Sequence, residues 1–168
     1  LCITSPLKRA RQTAEIILEG KDVPVTEDAR ISELCFGSWE GLGCRRENYE
    51  VPVPIEQFRK FYTDPLHFVP AKDGETIAAL CKRTEQFWKE LLGNEAYRDK
   101  TILIATHGCA VRAILRNVYE DQTDYWHGRV PANCAVNIVE VTDGKAILKE
   151  ADKIYYDPAV AVDHFTRV

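Results

Sequence analysis

Residues 101–119 read TILIATHGCAVRAILRNVY, and this stretch decides the fold class. Residues 101–106 are short and continuously apolar, which is typical of a strand buried on both faces of a sheet. His107 and Gly108 follow at once, and the next residues place apolar side chains at helical spacing, at Val111, Ile114, Leu115 and Val118. The stretch therefore predicts a strand, a tight junction and a helix over residues 109–119.

A second strand-to-helix junction opens the chain. Residues 1–4 are apolar and end at Ser5 and Pro6, which are favourable as the N-cap and the first residue of a helix. The following apolar positions keep helical spacing as far as Gly20, so we expect a helix to begin at Ser5-Pro6 and to stop at that glycine. Residues 23–25 and 29–34 are predicted as short extended pieces.

The remaining elements complete an α/β pattern. Residues 75–92 carry the strongest helical signal, with Glu75 expected to charge the helix N-terminus, and residues 55–62 predict one short helix. Residues 134–141 alternate as a strand, and the Asp143-Gly144 pair predicts a hairpin leading into residues 145–149. We expect one domain over residues 1–168 with three layers, helix-sheet-helix, and a mostly parallel sheet with an antiparallel edge.

Composition excludes several classes of protein. The 168 residues carry 22 Lys and Arg against 26 Asp and Glu, which gives a net charge of −4. A mildly acidic surface does not suit general nucleic-acid binding, and no apolar run reaches the roughly 20 residues that span a bilayer. The six cysteines contain no CxxC pair. We therefore expect free, buried thiols, a cytoplasmic location, and no metal or other cofactor.

Both strand-to-helix junctions suit an anion. Ligands of open α/β sheets bind outside the carboxyl ends of the strands, where helix N-termini offer free N–H groups and partial positive charge. Arg9 could add a planar fork for phosphate oxygens, and His107 could donate to the same anion. The alternative is a solvated arginine and a hydrogen-bonded turn histidine, and spacing alone leaves both open.

A third segment, residues 31–41, reads ISELCFGSWEG and places a carboxyl group among apolar side chains. Glu33 is the candidate, since its flanking residues can remove it partly from water; they are Ile31, Leu34, Phe36 and Trp39. Partial removal from water favours the protonated form that a general acid needs. An exposed loop glutamate is the alternative.

Five segments in this order resemble the histidine phosphatase superfamily, also called phosphoglycerate mutase-like, over nearly the whole chain. They read TSPLKRARQTAEI, ISELCFGSWEG, DGETIAALCKRTEQF, ATHGCAVRAIL and NCAVNIVEV. The form FGSWEG looks most like the broad-specificity phosphatase, α-ribazole phosphatase and fructose-bisphosphatase-like branches and less like the glycolytic mutases. The resemblance implies a phosphoglycerate mutase-like fold and a reaction through a phosphohistidine.

The resemblance also implies roles for individual residues. Arg9 matches the family's second phosphate-binding arginine, and His107 matches the second histidine, which contacts the transferring phosphoryl group. Glu33 matches the carboxyl group that protonates the leaving-group oxygen. Ser5 lines up with a serine close to the phosphate pocket, and Gly108 would place a backbone N–H near the phosphate.

One departure from the family concerns the nucleophile. The family's nucleophilic histidine lies in an Arg-His-Gly motif at the end of a first strand, and this sequence contains no Arg-His-Gly. His67, His127 and His164 lack that context, and we expect them on surfaces or loops. We therefore expect the first strand and the nucleophile upstream of residue 1, and little activity in the 168 residues alone. Strand edges left open would invite another chain, which leaves a homo-oligomer open.

The leading hypothesis is hydrolysis of a small phosphorylated metabolite, with residues 42–73 covering its non-phosphate part. The cations and aromatic rings of that segment suit such a contact, or they anchor a long loop. A phosphoglycerate mutase is one alternative. A non-catalytic module that binds a phosphate ligand or forms oligomers is another, and it applies if the chain is naturally complete.

Overall fold

A parallel sheet lies at the centre of the computed structural model, which describes residues 1–161. Its three strands have the order β2, β1, β3, where β1 is Cys2–Thr4, β2 is Val25–Glu27 and β3 is Leu103–Ala105. Cys2 is in register with Val25 on one side and with Leu103 on the other. The helices are α1 (Lys8–Ile17), α2 (Ile55–Phe58), α3 (Lys60–Thr63), α4 (Ile77–Gly93) and α5 (Gly108–Leu115).

Helices cover both faces of this sheet because side chains alternate along a strand. Cys2 packs with Ala14 of α1, and with Ala105, on one face. Its neighbour Ile3 packs on the other face with Phe87 of α4 and Ile114 of α5. The predicted α/β class is confirmed.

The helices begin where their capping groups allow. Helix α1 begins at Lys8, later than predicted, because the Ser5 hydroxyl accepts the N–H of Leu7 at 3.2 Å and so closes the turn before the helix. Helix α4 begins after Thr76, whose hydroxyl accepts the N–H of Ala79 at 3.1 Å. Such caps satisfy N–H groups that have no partner within the helix.

The predicted antiparallel hairpin is present as β4 (Val136–Thr142) and β5 (Lys145–Lys153). Asp143 and Gly144 have φ angles of 50° and 75°, the left-handed values that a tight two-residue turn requires. The pair forms a two-stranded sheet of its own. Val139 and Ala146 pack it against the cluster that contains Ile3.

An open cleft of about 1870 Å³ runs between β3 and β4 and continues past the carboxyl end of β3. We call the part between the two strands the strand groove; its walls include Leu103, Ile104, Val136, Val139 and Val141. The prediction that β3 is buried on both faces is wrong, since Leu103 and Ile104 are only half-buried. The reason is that β3 pairs with β1 on one edge and faces the groove with the other.

The connection between β2 and α4 differs from the prediction in two places. Residues 29–34 are not extended, because Ala29–Ile31 form a 3-10 turn in which the Asp28 carboxylate accepts the N–H of Arg30 at 2.8 Å. Residues 55–62 do not form one helix, since α2 and α3 are separate and meet at Arg59.

Aromatic rings hold this connection against the core. Phe58, Phe61 and Phe68 are buried, and the ring of Phe68 lies 5.9 Å from that of Phe58 and 5.4 Å from that of Phe61. The Trp126 indole N–H donates to the carbonyl of Phe61 at 3.0 Å. For these phenylalanines the arrangement agrees with the alternative that they anchor a long loop.

All six cysteines are free thiols in the structure. Cys2 and Cys109 are buried as expected, whereas the expectation of burial is wrong for Cys35 and Cys134, which lie in exposed loops. Within residues 1–161, no helix combines the length and the apolarity needed to cross a membrane.

A buried arginine anchors the hairpin to α5. Arg112 of α5 is 1% exposed and forms an ion pair with Asp152, near the end of β5. Its guanidinium also donates to the carbonyl of Arg129 at 2.7 Å and to the hydroxyl of Tyr119 at 3.1 Å. A charge so far from water needs its partner, because an unpaired buried ion is costly.

We expect Asp152→Asn to lower the free energy of unfolding by about 3 kcal/mol, since it leaves the Arg112 charge uncompensated. Asparagine tolerates the positive φ of 50° at this position, so backbone strain does not add to the effect. Urea denaturation measures the change. Glu140→Gln removes an exposed pair with Lys149 on the same hairpin and should cost less than about 1 kcal/mol. Equal losses would contradict a buried anchor.

Candidate functional site

The two strand-to-helix junctions lie side by side at the carboxyl edge of the sheet. β1 and β3 are parallel neighbours, so the residues that follow them come out at the same edge. The N–H of Ser5 continues the pairing by donating to the carbonyl of Ala105 at 2.9 Å. His107 follows β3 by two residues and is therefore held next to Ser5.

Arg9, His107 and Ser5 form one hydrogen-bonded row. The Arg9 Nε donates to Nδ1 of His107 at 3.1 Å, and Nε2 of His107 lies 2.8 Å from the Ser5 hydroxyl. A guanidinium can only donate, so Nδ1 must accept and the ring proton lies on Nε2. His107 therefore donates to Ser5 and accepts from Arg9.

Both burial and positive neighbours keep the imidazole neutral. Removal from water, together with the charges of Arg9 and Arg83, lowers the pKa of His107 from 6.5 to about 4. The ring is 8% exposed, which agrees with desolvation as the main cause. At neutral pH, His107 is a neutral donor through Nε2.

Glu33 lies across the N-terminus of α5. Its Oε1 accepts the N–H groups of Leu34 at 2.9 Å and Ala110 at 3.3 Å, and its Oε2 accepts the N–H of Cys109 at 3.3 Å. A methyl group on Gly108 would lie 3.9 Å from Oε2, which is ordinary van der Waals contact. The carboxylate and the helix end that sequence reasoning treated separately are thus in contact.

The four apolar residues that flank Glu33 in sequence are buried or partly buried. Ile31 and Leu34 are buried, and Phe36 and Trp39 are partly buried against the main core cluster. Glu33 itself is half-buried and lines the cleft, so it is not the exposed loop glutamate of the alternative. Glu40 in the same segment is exposed and accepts the N–H of Phe36 at 2.8 Å.

The other nucleophilic or basic side chains of the described residues have different settings. His67 is exposed and pairs with Asp64, and His127 lies in a loop with its ring stacked on Tyr119. His164 lies outside the described residues. Burial and the neighbouring Glu33 raise the pKa of the Cys109 thiol well above 9, so it stays protonated. Within residues 1–161, no group of three His, Cys, Asp or Glu side chains is placed to hold a metal ion.

Sequence reasoning missed one element of the site, the ion pair between Glu75 and Arg83. The expectation that Glu75 charges the N-terminus of α4 is wrong. Its carboxylate instead accepts hydrogen bonds from Arg83, from Nε at 2.7 Å and from Nη2 at 2.8 Å. The same guanidinium donates to the carbonyl of Glu33 at 3.1 Å. The only sequence signal is the spacing of eight residues, which is close to two helical turns.

A model of the histidine phosphatase superfamily (branch 1) matches residues 1–153. The chain belongs to the histidine phosphatase superfamily. The adenosylcobalamin/alpha-ribazole phosphatase of Salmonella typhimurium is 33% identical over 149 residues, which are 88% of this chain and 70% of that protein. PhoE of Bacillus subtilis, an uncharacterized phosphatase, is 31% identical over 138 residues, which are 82% of this chain and 63% of that protein.

A solved structure agrees with this histidine phosphatase assignment. YhfR of Bacillus stearothermophilus superposes with a TM-score of 0.79 at 25% identity, over 91% of this chain and 73% of that one. The matched family region contains all five residues singled out from the sequence, namely Ser5, Arg9, Glu33, His107 and Gly108. The resemblance drawn from the five segments is confirmed at the level of family and fold.

The lowered pKa of His107 gives a pH dependence with a definite sign. The unfolded ring takes up a proton below about pH 6.5, while the folded ring does so only near pH 4. Protonation of His107 therefore costs the folded state no stability above pH 6.5, and the free energy of unfolding decreases as the pH falls toward 4. Between pH 7 and pH 5 we expect His107→Gln to remove up to about 2 kcal/mol of the pH dependence of the unfolding free energy.

Urea titrations of the chain and the variant at the two pH values measure this difference. His67→Gln is the matched control, since His67 is exposed and faces only Asp64. A His107→Gln variant whose stability falls with pH as steeply as that of the unmodified chain would contradict a buried neutral imidazole.

Proposed function

We propose that this chain carries the phosphate-binding and proton-donating half of a phosphomonoesterase that works through a phosphohistidine. The convergence of Arg9, His107 and Glu33 at one edge of the sheet is the observation that supports it. The named phosphatases among the relatives support the same reaction class. Their substrates are properties of those proteins, and for this chain we propose a small phosphorylated metabolite.

The charges at this edge suit a phosphoryl group. Arg9 is exposed at the rim and offers a guanidinium fork to the phosphoryl oxygens. Neutral His107 would contact the phosphoryl group through Nε2–H, which donates to the Ser5 hydroxyl in the structure and would exchange it for a phosphoryl oxygen. Gly108 would place its backbone N–H near the phosphate, as the family resemblance implies.

The strand groove offers a place for a further strand that would carry the nucleophilic histidine. A further strand placed beside β3 and parallel to it would lie about 4.8 Å away and would end at the carboxyl edge. A histidine at its end would then face Arg9, His107 and Glu33. Apolar side chains of α1 are available to cover such a strand, since Ile16 is 72% and Ile17 49% exposed and both line the cleft.

The proposed reaction uses the histidine of the added strand together with Glu33, Arg9 and His107. The nucleophilic imidazole forms a bond to phosphorus, the bond from phosphorus to the ester oxygen breaks, and Glu33 gives its proton to that oxygen. Arg9 and His107 hold the phosphoryl oxygens. Water next attacks the phosphohistidine, with Glu33 as the base, and releases phosphate and the free imidazole.

The non-phosphate part of the substrate would lie against residues 42–73. Leu42 and Tyr62 of this segment line the same cleft as Glu33, together with Trp39. These side chains offer an apolar and aromatic wall, which favours a substrate with an apolar or planar group beyond its phosphate. Arg45 and Arg46 are exposed nearby in sequence and can select further negative charge.

The first test supplies the strand. We define the completed chain as residues 1–168 joined through a flexible Gly/Ser linker to a preceding apolar segment of about eight residues that ends in Arg-His-Gly. We expect the completed chain to hydrolyse phosphomonoesters. It should keep its activity in EDTA, because side chains of the protein supply the positive charge and the hydrogen bonds that hold the phosphoryl oxygens. Steady-state phosphate release is the measurement.

The control is the same fusion ending in Arg-Gln-Gly, which should dock equally and release no phosphate above the background of residues 1–168. Hydrolysis by residues 1–168 alone, at the rate of the completed chain, would contradict a nucleophile on the added strand. Activity abolished by EDTA and restored by a divalent ion would contradict the metal-free reaction.

The second test concerns Glu33 as general acid. In the completed chain, Glu33→Gln keeps the acceptor oxygen but cannot deliver a proton. An alkyl phosphate, whose leaving group is strongly basic, should lose roughly 10²–10⁴-fold in kcat/KM. Nitrophenyl phosphate releases a stable anion and should lose far less. The ratio of the two kcat/KM values is the measured quantity.

Glu40→Gln is the matched control, because Glu40 belongs to the same segment and is exposed. It should leave both substrates nearly unchanged. Equal losses for both substrates in Glu33→Gln would mean that Glu33 holds phosphate or structure. A larger selective loss in Glu40→Gln would assign the proton to that residue instead.

A further inference from the structure

The Arg83 guanidinium is bound to the backbone of the segment that carries Glu33. Its Nη1 donates to the carbonyl of Arg30 at 2.6 Å and to that of Ser32 at 2.8 Å, and its Nη2 donates to the carbonyl of Glu33 at 3.1 Å. One planar group thus binds three carbonyls within four residues. Arg83 lies on α4, whose buried face packs in the core, so the guanidinium ties the segment to a fixed element.

Glu75 holds the other side of this guanidinium. It accepts from Nε and Nη2 in a bidentate pair, which balances the charge and fixes the plane of the group. Its own backbone N–H donates to the carbonyl of Cys35 at 2.7 Å. The pair therefore contacts the Glu33 segment both before and after Glu33. Both side chains are about four-fifths buried, at 21% and 19% exposure.

Regular secondary structure does not define the path of this segment. Residues 32–36 have no regular secondary structure, so no ladder of strand or helix bonds holds them. The Thr106 hydroxyl donates to the carbonyl of Ile31 at 2.6 Å, which adds one point of attachment at the sheet edge. The hydrogen bonds of the Glu33 carboxyl group to Leu34 and to the start of α5 therefore depend on the conformation of this irregular backbone.

We propose that Arg83 and Glu75 form a positioning pair that sets the place of the Glu33 carboxyl for proton transfer, an inference that rests on the proposed function. Neither residue donates the proton. Proton transfer in the transition state depends steeply on the distance between acid and leaving oxygen, and a displacement of about 1 Å can cost on the order of 100-fold. Loss of the pair should therefore mimic a weakened general acid.

The expected signature is selective for the leaving group. In the completed chain, Arg83→Lys keeps the positive charge but cannot reach three carbonyls and a carboxylate with one planar fork. We expect kcat/KM for an alkyl phosphate to fall roughly 10-fold more than for nitrophenyl phosphate, in the direction of Glu33→Gln. Glu75→Gln keeps one acceptor and should give the same selectivity to a smaller degree.

Leu18→Ala is the control for a purely structural effect, because Leu18 packs against the cluster of Cys2 and Ala14 on the other face of the sheet, and that cluster contains no residue of the Glu33 segment. At equal loss of Tm, it should affect both substrates alike. Selective losses in both pair variants, absent in the control, support the proposal. Equal losses for the two substrates in the pair variants would overturn it.

A second readout works on residues 1–168 without catalysis. The amide N–H groups of Leu34 and Ala110 both donate to Glu33, so their protection from hydrogen exchange reports the position of the carboxyl. Arg83→Lys should speed their exchange at least about 10-fold relative to the amides of α4. Unchanged protection would overturn the positioning role even if Glu33→Gln behaves as a general acid variant.

Conversely, equal losses for the two substrates in Glu33→Gln would contradict the proposed function, while the exchange experiment still decides the role of the pair. If Arg83→Lys does not fold, Glu75→Gln decides both readouts.

Discussion

The parallel pairing of β1 with β3 is the constraint on which the site depends. Cys2, Ile3 and Thr4 are in register with Leu103, Ile104 and Ala105, so the chain leaves both strands at one edge. The bond from the Ser5 N–H to the Ala105 carbonyl carries the register one step past the strands. A shift of this register would move Ser5 away from Nε2 of His107, and the row of Arg9, His107 and Ser5 would not form.

Electrostatics then give each group at this edge a distinct state. The Arg9 guanidinium donates to Nδ1 of His107. Desolvation and the Arg9 charge both lower the pKa of His107, so the imidazole stays neutral beside a permanent cation. Glu33 is the counterpart on the other side, where the N–H groups of α5 receive its oxygens. The site thus brings together a cation on α1, a neutral donor before α5 and a carboxyl group on the irregular segment after β2.

Local signals predicted the parts of this arrangement that depend on neighbours in sequence. The strand-to-helix junctions at Ser5 and His107 and the Asp143-Gly144 turn follow from capping, apolar runs and turn chemistry, and the structure contains all three. The half-buried state of β3 could not be predicted in this way, because it depends on which strand occupies its second edge. The Arg83–Glu75 pair also escaped, since its carbonyl partners lie about fifty residues away in sequence and their approach is set by tertiary packing.

Different contacts fix the two walls of the strand groove. On one side β3 is fixed by its pairing with β1 and by α1. On the other side the hairpin is fixed by the buried ion pair of Arg112 with Asp152 and by the contact of Val139 with the core cluster of Ile3 and Ile114. Because Arg112 belongs to α5, the helix whose N-terminus receives Glu33 is also the helix that anchors the far wall. Helix α5 therefore helps to fix both the position of the Glu33 carboxyl group and the far wall of the groove, so a strand placed in the groove would meet that carboxyl group at a place that α5 defines.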